Sequence, residues 1–311
     1  MGWLGWTVIT VLLLVLVSLG ALRHAVNTNG AAVLDGADRL LRGDSAIRLV
    51  ADERYGPDPE QRVEMFVPSA QTPDRPLPIV VFIHGGSWAS GSPHDYRFIA
   101  RTLVPHGYAV VLAGYRLFPR VRYPAMLEDG AGALRWVADN AARHGGDPAR
   151  IVVMGHSAGA YNTLMLTLDP RWLGTRGLSP AMLRGAVSLA GPADFLPLDT
   201  QATIDTFGHA PDLRDTQPVA HAHGGAPPLL LVTGDADTRV KPRNSLALAR
   251  ALTVAGTPTK VVMLAGVTHE GIIKMFARPF SSDTRASDAV LSFLARVTAP
   301  SAVVQASAAQ K

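Results

Sequence analysis

Cysteine is absent from all 311 residues, which excludes disulfides, thiolate metal sites and a cysteine nucleophile and leaves the redox compartment unread. Charge is also sparse: Asp, Glu, Lys and Arg make up 17% of the chain and the net charge is only +4. The basic residues are mostly scattered arginines, with no basic stripe interleaved with aromatics, so nucleic acid is not an expected partner. No internal repeat is found. What the chain does have is apolar bulk, 48% of its residues, which is globular rather than disordered and enough for one α/β domain of about 250 residues with appendages.

The first appendage is N-terminal. From Met1 to Leu22 no side chain is charged, and Trp3–Leu22 has the length and apolarity expected of a transmembrane helix, with Trp3 and Trp6 near one interface. A cleaved signal peptide is the competing reading. No Lys or Arg precedes the run and no small-x-small site follows it, which favours a retained single-pass anchor. Arg23, Arg39 and Arg42 argue weakly for a cytoplasmic catalytic part. The expected division is an anchor or signal over 1–25, a linker over 26–45, a catalytic domain over 46–298 and a disordered tail over 299–311. In the linker, Asn27–Gly30 reads as a loop. Val33, Leu34, Ala37, Leu40 and Leu41 then recur at helical spacing, with Asp35, Asp38, Arg39 and Arg42 opposite and Gly43 as a stop, so the apolar face is expected to pack on the domain.

The domain alternates strands and helices. Ile47–Val50 and Arg62–Val67 read as an antiparallel opening pair, and Ile79–Ile83 as a strand buried on both faces. Further strands are expected at Tyr108–Leu112, Ile151–Met154, Ala186–Ala190, Leu229–Thr233 and Lys260–Leu264. Helices are expected near Asp95–Pro105, from Tyr123 through Val137, after Gly159, and at Pro242–Ala255 and Thr284–Arg296. Such an alternation implies a mostly parallel sheet with helices on both faces.

Gly155-His156-Ser157-Ala158-Gly159 lies between a predicted strand and a predicted helix and fits Gly-x-Ser-x-Gly. The five-residue pattern alone arises by chance in about one chain in ten of this length; the flanking elements make it a nucleophile elbow, with Ser157 as the nucleophile. A serine hydroxyl needs an adjacent base, itself oriented by a carboxylate. In elbow enzymes the order is Ser, then Asp or Glu, then His, each on a loop after a strand. Of the histidines after Ser157, only His269 follows the last predicted strand; His209, His221 and His223 come too early and read as surface or lid residues. The loop after Leu229–Thr233 offers two carboxylates, Asp235 and Asp237, which periodicity does not separate. Backbone amides of Gly85, Gly86 and Ala158 are the expected oxyanion donors, and His84 is expected to hold the glycine loop. Phe195, Leu196 and Phe207 fall in a loop-rich insertion and read equally as an acyl pocket, a lid or core packing.

His84-Gly85-Gly86-Ser87-Trp88, Tyr115-Arg116-Leu117 with Pro119, Tyr123-Pro124-Ala125, Gly146-Asp147-Pro148, the elbow and Gly234-Asp235-Ala236-Asp237-Thr238-Arg239-Val240 occur in one order in one chain. Together they resemble the α/β-hydrolase superfamily, in the group spanning hormone-sensitive-lipase-like esterases, bacterial feruloyl-esterase-like hydrolases and kynurenine formamidases. The resemblance implies an α/β-hydrolase fold, the acid at Asp237 with Asp235 as fallback, a structural role for Tyr115 and Arg116, and no metal or organic cofactor. Ser87, where lipases carry a third glycine, is closer to the feruloyl-esterase and formamidase variants. The expectation is a serine esterase acting on a small-molecule ester. The alternatives are an arylformamidase and a catalytically silent scaffold.

Overall fold

The computed structural model describes residues 2–70 and 75–300. The elements run α1 (Trp3–Arg42), β1 (Ile47–Arg54), β2 (Arg62–Pro68), β3 (Leu77–Ile83), α2 (Arg97–Leu103), β4 (Ala109–Ala113), α3 (Ala125–Asn140), β5 (Gly146–His156) and α4 (Ala158–Leu168). They continue with α5 (Pro170–Gly174), β6 (Leu183–Leu189), α6 (Gln201–Phe207), β7 (Leu229–Gly234), α7 (Arg243–Val254), β8 (Val261–Leu264), α8 (His269–Lys274) and α9 (Arg285–Val297). The strands form one sheet in the order β1-β2-β4-β3-β5-β6-β7-β8. Only β2 runs against its neighbours; β3 to β8 are parallel, as strands joined by helical crossovers must be.

The central strands are apolar throughout because both faces are covered. Along β3, Ile79, Val81 and Ile83 pack with Leu127 and Leu134 of α3, Leu164 and Leu168 of α4 and Leu248 of α7. The alternate residues Val80 and Phe82 pack on the other face with Phe98 and Leu103 of α2, Ile272 of α8 and Val290 and Leu294 of α9. Successive side chains of a strand point to opposite faces, so one uninterrupted apolar run feeds two cores.

The N-terminal region departs from expectation. Residues 27–30 are not a loop: α1 continues through them with a kink at Asn29, where φ is −149° and ψ 78°. Asn29 Oδ1 accepts the amide of Ala32 and its Nδ2 donates to Asp95, so the side chain caps the following helical piece and ties it to the domain. That piece packs on the domain as expected through Leu34, but it is rotated so that the end of the expected apolar face turns outward. Leu40 is 89% exposed and Leu41 56%, whereas Asp38 is fully buried. The cause is Arg101 on α2, a buried guanidinium whose Nη1 bonds Asp35 (2.8 Å) and Asp38 (3.0 Å) and whose Nε bonds Asp44 (2.6 Å). A buried charge must be paired, and that requirement outweighs the transfer of two leucines from water.

Among the described residues no helix is long and apolar enough to cross a membrane, so the expected span over Trp3–Leu22 has no support here. The expected disordered tail falls almost wholly on 301–311, outside the described residues.

Candidate active site

Strand β5 ends at His156 and α4 begins at Ala158, which leaves one residue, Ser157, to turn the chain through φ 55° and ψ −121°. A non-glycine residue at positive φ is held there by its surroundings. The amide of Ser157 donates to Leu189 O at 2.9 Å, and the flanking glycines leave no room for anything larger. A Cβ on Gly155 would lie 2.3 Å from Gly159 O, and one on Gly159 would lie 2.1 Å from Ile83 O. The spacing of the motif is thus a consequence of three backbone segments meeting behind the serine.

His269 is the first residue of α8, in a turn capped by Thr268, whose Oγ1 accepts the amide of Gly271. Its Nε2 lies 2.8 Å from Ser157 Oγ and its Nδ1 lies 2.8 Å from Asp237 Oδ2. Both His269 and Asp237 are buried, while Ser157 keeps partial access to solvent. Asp237 Oδ1 accepts the amides of Arg239 (2.9 Å) and Val240 (2.8 Å). Burial alone would raise the Asp237 pKa; the hydrogen bond and charge of His269, with the two amides, bring it below the ordinary carboxylate value. Asp235 points elsewhere, accepting the amide of Gly266 at 2.6 Å. Periodicity left the two aspartates open and the resemblance pointed to Asp237, and it is Asp237 that lies against the imidazole.

The loop after β3 passes beside the serine. A Cβ on Gly85 would sit 3.4 Å from Ser157 Cβ and 3.0 Å from His156 O, so any larger residue would have to push the elbow back by a few tenths of an ångström. Gly86 has φ 120°, and Ser87 and Trp88 follow at φ 53° and 58°. Ser87, in the position where lipases carry glycine, holds a backbone conformation that glycine adopts freely. His84 is buried, stacked on Tyr115 with ring centroids 4.4 Å apart, and its Nδ1–H donates to Gly85 O at 2.7 Å. Burial pushes its pKa down to about 4, so it stays neutral and props the loop. Tyr115 OH donates to His84 O, and Arg116 forks onto Asp129, itself fully buried and bonded to Gln61. These contacts are structural, in line with what the resemblance implied for Tyr115 and Arg116.

Phe207 is fully buried and meets Trp88 edge-on at 4.9 Å, with Tyr161 at 5.1 Å and Phe195 at 5.4 Å. Phe195 and Phe207 therefore belong to a closed aromatic cluster beside the elbow, while Leu196 is half-buried. His209, His221 and His223 each bond a backbone carbonyl, of Tyr123, Asp215 and Gly224. Among the described residues no group of three or more His, Asp or Glu could hold a metal.

Sequence reasoning passed over two neighbours. His156 is buried with its ring 5.0 Å from that of His269, and its Nε2–H donates to His269 O at 3.3 Å. Burial, then the nearby His269, push its pKa down to about 3. Asn162, fully buried on α4, accepts the indole N–H of Trp88. The variable position of the motif and an amide inside a mostly apolar helix were the available signals.

The BD-FAE family model matches residues 63–252, a stretch that holds Gly85, Gly86, Ser157, Ala158 and Asp237. The probable isoprenylcysteine alpha-carbonyl methylesterase ICMEL2 of Arabidopsis thaliana is 27% identical over 237 residues, covering 69% of this chain and 56% of that protein. Carboxylesterase NlhH of Mycobacterium tuberculosis is 48% identical over 84 residues, 27% of this chain and 26% of that one. The chain spans about half the length of the methylesterases it matches. Among solved structures, esterase B from Lactobacillus rhamnosis is similar with a TM-score of 0.73 at 22% identity, covering 90% of this chain and 96% of that one. At that identity the likeness shows the fold, an α/β-hydrolase with a mostly parallel eight-stranded sheet.

Proposed function

The chain belongs to the BD-FAE family, and from that premise we propose that it is a serine hydrolase cleaving carboxylic esters through an acyl-enzyme. The observation that carries the reading is the relay Ser157 Oγ–His269 Nε2 and His269 Nδ1–Asp237 Oδ2, both at 2.8 Å. Ser157 Oγ attacks the ester carbonyl while His269 Nε2 takes its proton and passes it to the leaving alcohol. Asp237 keeps the Nδ1 proton in place and stabilises the imidazolium. The amides of Gly85, Gly86 and Ala158 receive the oxyanion, Ala158 from the positive end of α4. Water then follows the same path in reverse to release the acid. Two of its relatives, a methylesterase and a carboxylesterase, support this choice of substrate class.

A panel of p-nitrophenyl esters of graded chain length, run on wild type and Ser157→Ala, tests the reading. Wild type should turn over the short esters and Ser157→Ala should lose at least about 10³-fold in kcat. Strong cleavage of N-formylkynurenine with negligible ester turnover would move the chain to the formamidases. A wild type that hydrolyses neither and resists fluorophosphonate labelling would be a scaffold.

We propose also a membrane location carried by α1. No side chain from Trp3 to Leu22 is charged, and Leu12, Leu14, Leu16, Val17 and Leu19 are all more than half exposed. Full-length protein should partition with liposomes and the form lacking residues 1–28 should not; equal partitioning of the two refutes the location.

A further inference from the structure

We infer that Asn162 and Trp88 act as a pair of positioning residues that lock the oxyanion loop onto the helix behind the nucleophile. The inference rests on the esterase reading above.

Ser87 and Trp88 are consecutive non-glycine residues at positive φ, directly after Gly85 and Gly86. Two adjacent residues in so sparsely populated a region spring back unless something downstream holds them. Within the turn the amides of Ala89 and Ser90 both donate to Gly86 O at 3.0 Å; the tie to α4 is made by the Trp88 side chain. Its Nε1–H donates to Asn162 Oδ1 at 3.2 Å, and its ring is wedged edge-on between Tyr161 (5.4 Å) and Phe207 (4.9 Å). Its carbonyl accepts the amide of Phe118 at 2.8 Å. Asn162 lies on the same helix whose first turn follows Ser157, five residues on, and is fully buried. The two sets of oxyanion amides, Gly85 and Gly86 on one loop and Ala158 on α4, already lie against each other where Gly85 meets Ser157, and a side-chain hydrogen bond between segments 74 residues apart ties them from behind.

The chemistry of Asn162 supports this role over simple packing. Its Nδ2 is buried without a hydrogen-bond partner among the described residues. An apolar residue at this position would remove that unsatisfied donor but leave the Trp88 indole N–H without its acceptor, so the amide is matched to Trp88 and not to filling space. What it does contribute is the one acceptor that an indole N–H in an aromatic pocket requires. Asn162 touches no reacting atom; it acts through Trp88 on the position of the loop amides.

The test is a double-mutant cycle with Trp88→Phe, which keeps a ring and loses the N–H, and Asn162→Leu, which keeps the volume and loses the acceptor. For each protein kcat and KM on p-nitrophenyl acetate are measured. Affinity is measured for a trifluoromethyl ketone, whose serine adduct carries an oxyanion, and the melting temperature is recorded. Each single variant should lose about tenfold or more in kcat with KM within about twofold, since loop donors misplaced by a few tenths of an ångström serve the transition state and not the bound substrate. Ketone affinity should fall by the same factor, and the double variant should be no worse than the weaker single one. Unchanged kcat in both variants, additive losses, or a kcat loss without loss of ketone affinity overturns the inference. Should Asn162→Leu fail to fold, Trp88→Phe decides by the same kcat and ketone readouts. A wild type inert to both ester and fluorophosphonate overturns the esterase reading itself, an outcome distinct from active but unchanged variants.

Discussion

His269 Nδ1 lies 2.8 Å from Asp237 Oδ2, while Asp235, two residues earlier on the same loop, directs its carboxylate to the amide of Gly266. Two aspartates of one turn thus divide the work: one orients the imidazole and the other ties the β7 loop to the β8 loop. Asp237→Asn should lower kcat by about 10³–10⁴, because an amide in that position favours the wrong tautomer of the imidazole. Asp235→Asn should cost no more than about threefold. Steady-state rates on a short ester decide it, and the reverse ranking would reassign the acid.

The aromatic cluster predicts acyl preference. Trp88, Tyr161, Phe195 and Phe207 fill the space beside the elbow with mutual ring distances of 4.9 to 5.8 Å, so on the proposed esterase reading short acyl groups are expected to fit best. Phe207→Ala should open a slot for two or three methylenes, each worth about 0.8 kcal/mol. The ratio of kcat/KM for octanoate over acetate esters should rise by about tenfold or more, at a stability cost of about 3 kcal/mol. A ratio that does not move would show that the acyl chain lies elsewhere.

Two buried neutral histidines predict acid sensitivity. His84 is held at about 4 and His156 at about 3, chiefly by burial, against about 6.5 in the unfolded chain. Between pH 6.5 and 4 the unfolded chain therefore takes up protons that the folded chain refuses. Stability should fall as pH drops through that window, by up to about 1.4 kcal/mol per pH unit for each histidine. The depressed Asp237 contributes stability that is complete above its unfolded value, so its loss begins only below about pH 4. Urea unfolding at pH 7.5, 6 and 5 measures the slope. His84→Phe, which keeps a ring against Tyr115, should make it shallower, and an unchanged slope would discount the burial effect.

The docking of α1 through Arg101 predicts a steep local dependence. Asp38 is fully buried and accepts Arg101 Nη1 and the amide of Arg278. Arg101→Met should destabilise the domain by about 3–5 kcal/mol by stranding buried carboxylates. Adding Asp38→Leu to it should restore part of the loss. Additive losses in urea unfolding would mean that the pair is not coupled.

The sequence by itself determined the strands of the sheet, the elbow and the chain order of Ser157, Asp237 and His269, because each is read from a short stretch of residues. Apolar runs such as Ile79–Ile83 specify strands covered on both faces, and glycines at 155 and 159 mark a turn that admits no Cβ. Only the tertiary structure set Asp237 and not Asp235 against the imidazole, a choice that periodicity left open and the resemblance anticipated, turned α1 so that Asp38 rather than Leu40 faces inward, and brought Asn162 to Trp88. In each of these the deciding partner is far along the chain: His269 for the aspartates, Arg101 for α1, an indole 74 residues away for Asn162. Periodicity reports which residues prefer to leave water. It carries no record of which distant charge or donor a buried polar group must meet, and that pairing is settled only when the chain is packed.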